Sequence, residues 1–231
     1  MMHKQDVFIT ARYLKTLYML YFIFLLAATV MGYKLVSLGP LFTAPGSGLI
    51  FTLTFFLGSV ITEIYGYQVM RRIIWLTLIF SAIFVLLITV FSVLPSPEYW
   101  HTGVAYGDIF FYIFHFTVAG GLAFVVSALI NAYIIARTKI KYQGKHFWLR
   151  CFIAAAISEI AADLITLFIS FFGDWGIRQT FMVLGSEYLY KLAYGVVCML
   201  LAVALVIWLK RQEKLDVYDN DTHFNPLKMS L

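Results

Sequence analysis

The chain has 231 residues, 62% of them hydrophobic and only 13% charged, with a net charge of +5 and a mean hydropathy of +0.86. Soluble domains carry about 25% charged residues, so this composition excludes a soluble globular domain and points to a polytopic membrane protein. The length suits about six spanning helices of about 20 residues each with short loops, and leaves no room for a nucleotide-binding domain.

Residues 1–15 are polar and carry Lys4, Arg12 and Lys15. The apolar run that follows is too long for the core of a cleavable signal peptide and has no convincing cleavage site after it. Thr16 to Val36 is the first predicted span, with Lys34 near its far end, where a lysine reaches the interface by extending its stem. A charge-free turn covers Leu38 to Gly48, marked by Pro40, Pro45, Gly46 and Gly48. The second span is Leu49 to Tyr67, with Glu63 near its end. Arg71 and Arg72 close it, and Ile73 to Leu94 forms an uncharged third span. The connection from Pro95 to Asp108 holds Trp100 and Tyr106, aromatics suited to an interface.

Ile109 to Ala136 is a long fourth span containing His115, Gly120–Gly121 and Asn131, and a basic loop from Arg137 to Arg150 follows. The fifth span, Trp148 to Gly173, reads WLRCFIAAAISEIAADLITLFISFFG and carries Glu159 and Asp163 near its middle. After a short connector, Asp174 to Gln179, the sixth span runs from Thr180 to Leu209 with Glu187 and Lys191 in its first half. The tail from Lys210 is polar and reads as disordered. The chain thus divides into an N-terminal segment 1–15, an all-α transmembrane domain 16–209 and a tail 210–231.

Basic residues outside the spans test this partition. They fall in the N-terminal segment, at Arg71 and Arg72, in the Arg137–Arg150 loop and in the tail. The intervening loops hold only Arg178. Lysine and arginine concentrate on the cytoplasmic side, so both termini are expected there. The positive net charge then reflects topology rather than a nucleic-acid surface.

Intramembrane polar groups are costly and face a bundle interior or a wet cavity. Glu159 and Asp163 are four residues apart and share one helical face, which Thr166 and Ser170 extend. From the cytoplasmic end they lie roughly 15 and 21 Å deep, and Lys191 on the descending sixth helix falls at a similar level to Asp163. Asp163 and Lys191 are expected to face one cavity, and either clamp two helices together or share a polar ligand. Glu63 lies nearer the cytoplasm. Asn131 with Ser127 reads as interhelical hydrogen-bonding glue or a ligand contact, and His115 as an interfacial residue or a proton acceptor. Gly120–Gly121 fits either a helix break lining a cavity or a packing notch. Cys151 and Cys198 read as packing thiols. No Walker, dinucleotide or HExxH motif and no nucleophile–base pair is present, so neither an enzyme nor a metal or organic cofactor is expected.

Three blocks in order carry a resemblance. TEIYGYQVMRRIIW at 62–75 has an acidic helix end, a tyrosine–glycine and paired arginines. The tryptophan-led span 148–173 has its internal aspartate at Asp163. YLYKL at 188–192 carries Lys191 and leads to the basic finish WLKRQE at 208–213. Together they resemble the queuosine precursor transporter family, also called the vitamin uptake transporter family, over about residues 10–213. An acid at Glu159 departs from the small or amide residue common there.

The resemblance implies a six-helix fold similar to substrate-binding subunits of energy-coupling-factor transporters, in the inner membrane of a bacterium. It also implies import of 7-cyano-7-deazaguanine or its aminomethyl relative for queuosine in transfer RNA. A carboxylate accepts the two adjacent N–H groups of a guanine-like edge in parallel. That role falls to Asp163 or Glu159. Lys191 suits the neighbouring carbonyl, Tyr188, Tyr190 and Tyr194 the flat faces, and Glu63 gating or a proton. Asn131 completes the candidate set. Two other classes compete: a binding subunit that needs partner ATPase subunits, and a membrane-embedded enzyme acting on lipid or prenyl substrates.

Overall fold

A computed structural model describes residues 11–32, 34–37, 43–97, 99–171, 177–220 and 222–227. Its elements are α1 (Leu14–Met31), β1 (Leu35–Ser37), β2 (Thr43–Pro45), α2 (Ser47–Tyr65), α3 (Tyr67–Ser92), α4 (Gly103–Lys141), α5 (Phe147–Phe171) and α6 (Ile177–Glu213). The expected N-terminal segment through residue 10, Pro40 in the first turn and residues 174–176 of the last connector lie outside the described residues.

α2 is the central helix and packs against all five other helices. Its sequence explains why it can be buried nearly all round. Phe55, Phe56, Val60, Ile61 and Ile64 fill the core, and its hydroxyls find partners on their own backbone or on a neighbouring helix. Thr54 donates to the Phe51 carbonyl at 2.6 Å and Thr62 to Gly58 at 2.8 Å; Thr52 and Ser59 lie 2.9 and 2.8 Å from the Gly48 and Phe55 carbonyls but give their one proton to a neighbouring helix. A buried hydroxyl that finds a partner avoids the desolvation penalty of an orphaned one. The outer helices show the reverse pattern. Ile79, Phe80, Ile83, Leu86, Leu87, Val90 and Phe91 of α3 are exposed, an apolar face far larger than water tolerates. Five helical stretches, Leu14–Met31, Ser47–Tyr65, Tyr67–Ser92, Gly120–Lys141 and Leu184–Glu213, are long and apolar enough to cross a membrane. The molecule is an all-α, multi-pass membrane protein. α5 has 25 residues but carries Arg150, Glu159 and Asp163, and is not one of those five.

Several boundaries differ from the sequence reading. The first span ends at Met31 rather than Val36, because Leu35–Ser37 pairs antiparallel with Thr43–Pro45, with Leu35 opposite Pro45. The third helix begins at Tyr67, so Arg71 and Arg72 are helical. One residue, Gly66, separates α2 from α3. It adopts φ +88°, and a Cβ there would lie 3.2 Å from the Asp219 carboxylate, so both conformation and space favour glycine. The basic loop shrinks to residues 142–146, since Arg137, Lys139 and Lys141 finish α4 and Arg150 lies in the first turns of α5.

The tail is the largest correction. α6 continues to Glu213, and the residues beyond it are docked rather than disordered. Val217 N–H donates to the Ile64 carbonyl at 3.1 Å, satisfying an end group of α2. Asp219 accepts the Tyr67 N–H at 2.8 Å, capping α3. Arg71 donates to the His223 and Asn225 carbonyls at 3.2 and 2.7 Å, and Trp75 Nε1 to Pro226 at 2.9 Å. Phe224 lies under the Arg137 guanidinium, 4.5 Å from ring centre to cation. Polar composition suggested disorder, but the exposed helix ends supplied hydrogen-bonding partners that composition does not show.

Candidate functional site

The helices frame a cavity of about 1090 Å³, just above the roughly 300–1,000 Å³ common for small-molecule sites. Its wall draws on all six helices: Ala28 and Thr29 of α1, Gly48 and Phe51 of α2, Trp75 and Ser81 of α3, Gly121 and Phe124 of α4, Asp163 and Thr166 of α5, and Glu187 and Lys191 of α6. Most of the lining is apolar or aromatic, and charge is confined to the α5–α6 side.

Lys191 is the focus of that charge. Its Nζ lies 2.6 Å from Asp163 Oδ1, 2.9 Å from Glu187 Oε1 and 3.3 Å from Glu159 Oε2. The lysine side chain is 3% exposed, against 4% for Glu159, 11% for Asp163 and 18% for Glu187. Burial therefore runs from Glu159 outward to the cavity wall. Thr52 of α2 donates to Glu159 Oε1 at 2.6 Å, tying the central helix to the cluster. Asp163 Oδ2 has no hydrogen-bond partner among the described residues, although Asp163 lines the cavity. An orphaned carboxylate oxygen is expensive in a buried place, and here it is an acceptor available to a ligand.

Small residues make this geometry possible. A Cβ on Gly48 would lie 2.0 Å from the Tyr190 hydroxyl and 3.1 Å from Lys191 Cε, so α2 and α6 approach closely only because glycine stands there. Ala162 and the buried Ala154 and Ala155 do the same for α5.

The structure brings together Asp163, Glu159 and Lys191 of the expected set. Tyr188 is adjacent on α6, its hydroxyl donating to the Ala156 carbonyl at 3.3 Å. Thr166 lines the cavity, whereas the side chain of Ser170 lies outside those described. Tyr190 points its hydroxyl at Gly48. The aromatics on the cavity wall come instead from α2, α3 and α4, namely Phe51, Trp75, Phe114, Phe116 and Phe124. Gly120 and Gly121 also line it, within a helix that continues unbroken through them. His115 is exposed and bonds its own helix at the Phe111 carbonyl. Cys151 and Cys198 are buried free thiols.

Asn131 and Glu63 stand elsewhere. Asn131 donates to the Phe55 carbonyl at 3.1 Å and accepts from Ser59 at 2.8 Å, joining α4 to α2. Its expected neighbour Ser127 bonds within its own helix. Glu63 is fully buried, 15 residues along α2 from Gly48 and hence roughly 22 Å away. Arg150 grips both its oxygens, at 3.0 and 3.1 Å, and Lys210 approaches at 3.3 Å. Lys139 donates to the Glu63 carbonyl, to Val217 O at 2.8 Å and to Asp216. This second charged cluster closes the end of the bundle where the tail docks.

Glu187, placed in the sixth span beside Lys191, and Thr52 were not among the candidate site residues. Glu187 stands one turn before Lys191, a spacing that signals an ion pair on a helix. Thr52 carries no such mark, since its role depends on a helix more than a hundred residues distant.

The family described as “Putative vitamin uptake transporter” matches residues 45–206. The chain belongs to this family. The match spans α2 to most of α6, and so covers the cavity and its charged side. No curated protein and no solved structure matches the chain. Membership in this vitamin uptake family brings a transport role for a small molecule rather than an enzymatic one, and the cavity has the size and mixed lining such a solute needs.

Proposed function

We propose that the protein imports a 7-deazaguanine precursor of queuosine, the cyano base, the aminomethyl base or both, across the inner membrane of a bacterium. It does so with six spans, α5 included, and both ends of the chain in the cytoplasm. The observation that carries this reading is the joint presence, on one cavity, of aromatic faces and the Asp163–Lys191 pair. A guanine-like edge offers two adjacent N–H donors beside a carbonyl oxygen. The unpartnered Oδ2 of Asp163 suits the donors, Lys191 suits the carbonyl, and Trp75 or Phe51 suits the ring face. Glu159 holds Lys191 from behind. Tyr188 serves the wall of the site, while Glu63 and Asn131 support the helices that frame it.

A second reading treats the chain as a substrate-binding subunit of an energy-coupling-factor transporter. It is favoured by the fold likeness implied by the three sequence blocks, and co-purification of ATPase subunits would support it. The primary reading is tested in bacteria that neither make nor import queuosine precursors. Such cells, supplied with a trace of the cyano base, are expected to regain queuosine in transfer RNA with the wild-type chain. Asp163→Asn, expressed at the same level, is expected to leave them without it. A folded, inserted wild type that restores nothing removes the deazapurine reading.

A further inference from the structure

Lys191 can offset one negative charge, yet three carboxylates lie within 3.3 Å of its Nζ. Its ammonium donates to Asp163 Oδ1 at 2.6 Å, and Glu187 and Glu159 lie within ion-pair range of it. Among the described residues lining the cavity, Lys191 is the sole basic side chain, and Asp163 and Glu187 stand beside it on the wall. Uncompensated negative charge in a buried site is strongly unfavourable. A cation in the cavity removes that penalty. We infer that the site selects a cargo bearing a positive charge, with Glu187 as the residue that reads it.

The three acids are not equivalent in this role. Glu159 is held from behind by Thr52 at 2.6 Å and does not reach the cavity wall. Asp163 makes the shortest contact with Lys191, at 2.6 Å, and its free oxygen suits neutral N–H donors. Glu187 is the most exposed of the three, at 18%, and sits one helical turn before Lys191. It can therefore turn an oxygen toward a ligand ammonium while Lys191 keeps its other two partners. A planar base with a primary ammonium on a short arm meets this arrangement. The same ring with a neutral nitrile arm leaves the excess charge unanswered.

This inference rests on the deazapurine reading above. It is tested by measuring the affinity of the full chain in lipid nanodiscs at neutral pH for two probes, 7-aminomethyl- and 7-cyano-7-deazaguanine, which differ only in the arm. A charge-assisted hydrogen bond supports an expected preference of at least about tenfold for the cationic base. Glu187→Gln is expected to abolish the preference by weakening the cationic base alone, and Glu187→Asp to keep most of it. Equal binding of both bases by the wild type overturns the inference but spares the deazapurine reading. So does a Glu187→Gln loss that falls equally on both bases, since that marks a clamp on Lys191. If neither base binds, the deazapurine reading fails and takes this inference with it.

Discussion

Gly48 sets the distance between α2 and α6 at the level of the charged cluster. Its missing side chain leaves room for the Tyr190 hydroxyl, which would lie 2.0 Å from an added Cβ. Gly48→Ala is therefore an overpacking change, with a cost of about 1–3 kcal/mol. The strain falls on Tyr190 and on Lys191 Cε rather than on distant parts of the core. The single variant is expected to lower both melting temperature and ligand affinity. Adding Tyr190→Phe, which deletes the oxygen in conflict, is expected to restore much of both. Failure of the double variant to recover would show that Lys191 Cε and Glu187 Oε1, 3.1 and 3.3 Å from an added Cβ, limit the approach instead. The sequence showed the carboxylates and the lysine because charge inside an apolar run has few explanations. It did not show Gly48 or Thr52, whose roles exist only once α2 lies between α5 and α6.

At the scale of elements, two clamps hold α2 in place, and they differ in kind. The Asn131–Ser59 link to α4 is neutral, and hydrogen bonds of this type within membranes contribute about 0.6 kcal/mol on average. The Glu63–Arg150 clamp to α5 is ionic, bidentate and buried. Removing one partner of such a pair costs about 3–5 kcal/mol, because the other charge is left uncompensated. Glu63→Gln is thus expected to lower the melting temperature steeply. Glu63→Gln with Arg150→Met is expected to be milder than Arg150→Met and Glu63→Gln added together. Strict additivity in that cycle would show that the two side chains do not act as a pair. Helix existence was legible throughout, since each apolar run is long. Helix ends were not: charged residues such as Arg71, Lys139 and Arg150 read as loop markers, whereas tail carbonyls and Glu63 satisfy them within helices.

For the molecule as a whole, the two charged clusters lie at different levels of the bundle, one beside the cavity and one under the docked tail. Asp216 links the tail to both Lys139 and Lys210. Burial pushes its carboxyl up, and the two lysines more than reverse this, holding it below the ordinary carboxylate range. A depressed folded value means that the ionised form stabilises the fold above the unfolded value of about 3.9 and loses that effect as pH falls through the folded value. Wild type is therefore expected to melt above Asp216→Asn at pH 7, with the gap closing below about pH 4. A gap that is constant from pH 7 to pH 3 would rule out the ionic contribution. The expectation of six spans with both ends inside was read from lysine and arginine placement, a rule about whole loops. The tail’s docking follows from individual carbonyls, which no such count records.

The docked tail also bears on the order in which the protein is made. Glu63 leaves the ribosome 147 residues ahead of Lys210, and Lys139 leaves 77 residues ahead of Asp216. At about 5–20 residues per second, the first of these intervals lasts roughly 7–30 s. During that time the tail-side end of the bundle lacks Lys210, Asp216 and Val217, although Arg150, 87 residues after Glu63, can already grip it. The early helices therefore enter the bilayer before the tail can cap α2 and α3. Lateral compaction waits for the last helix to arrive and for the following segment to fold back across the helices that preceded it.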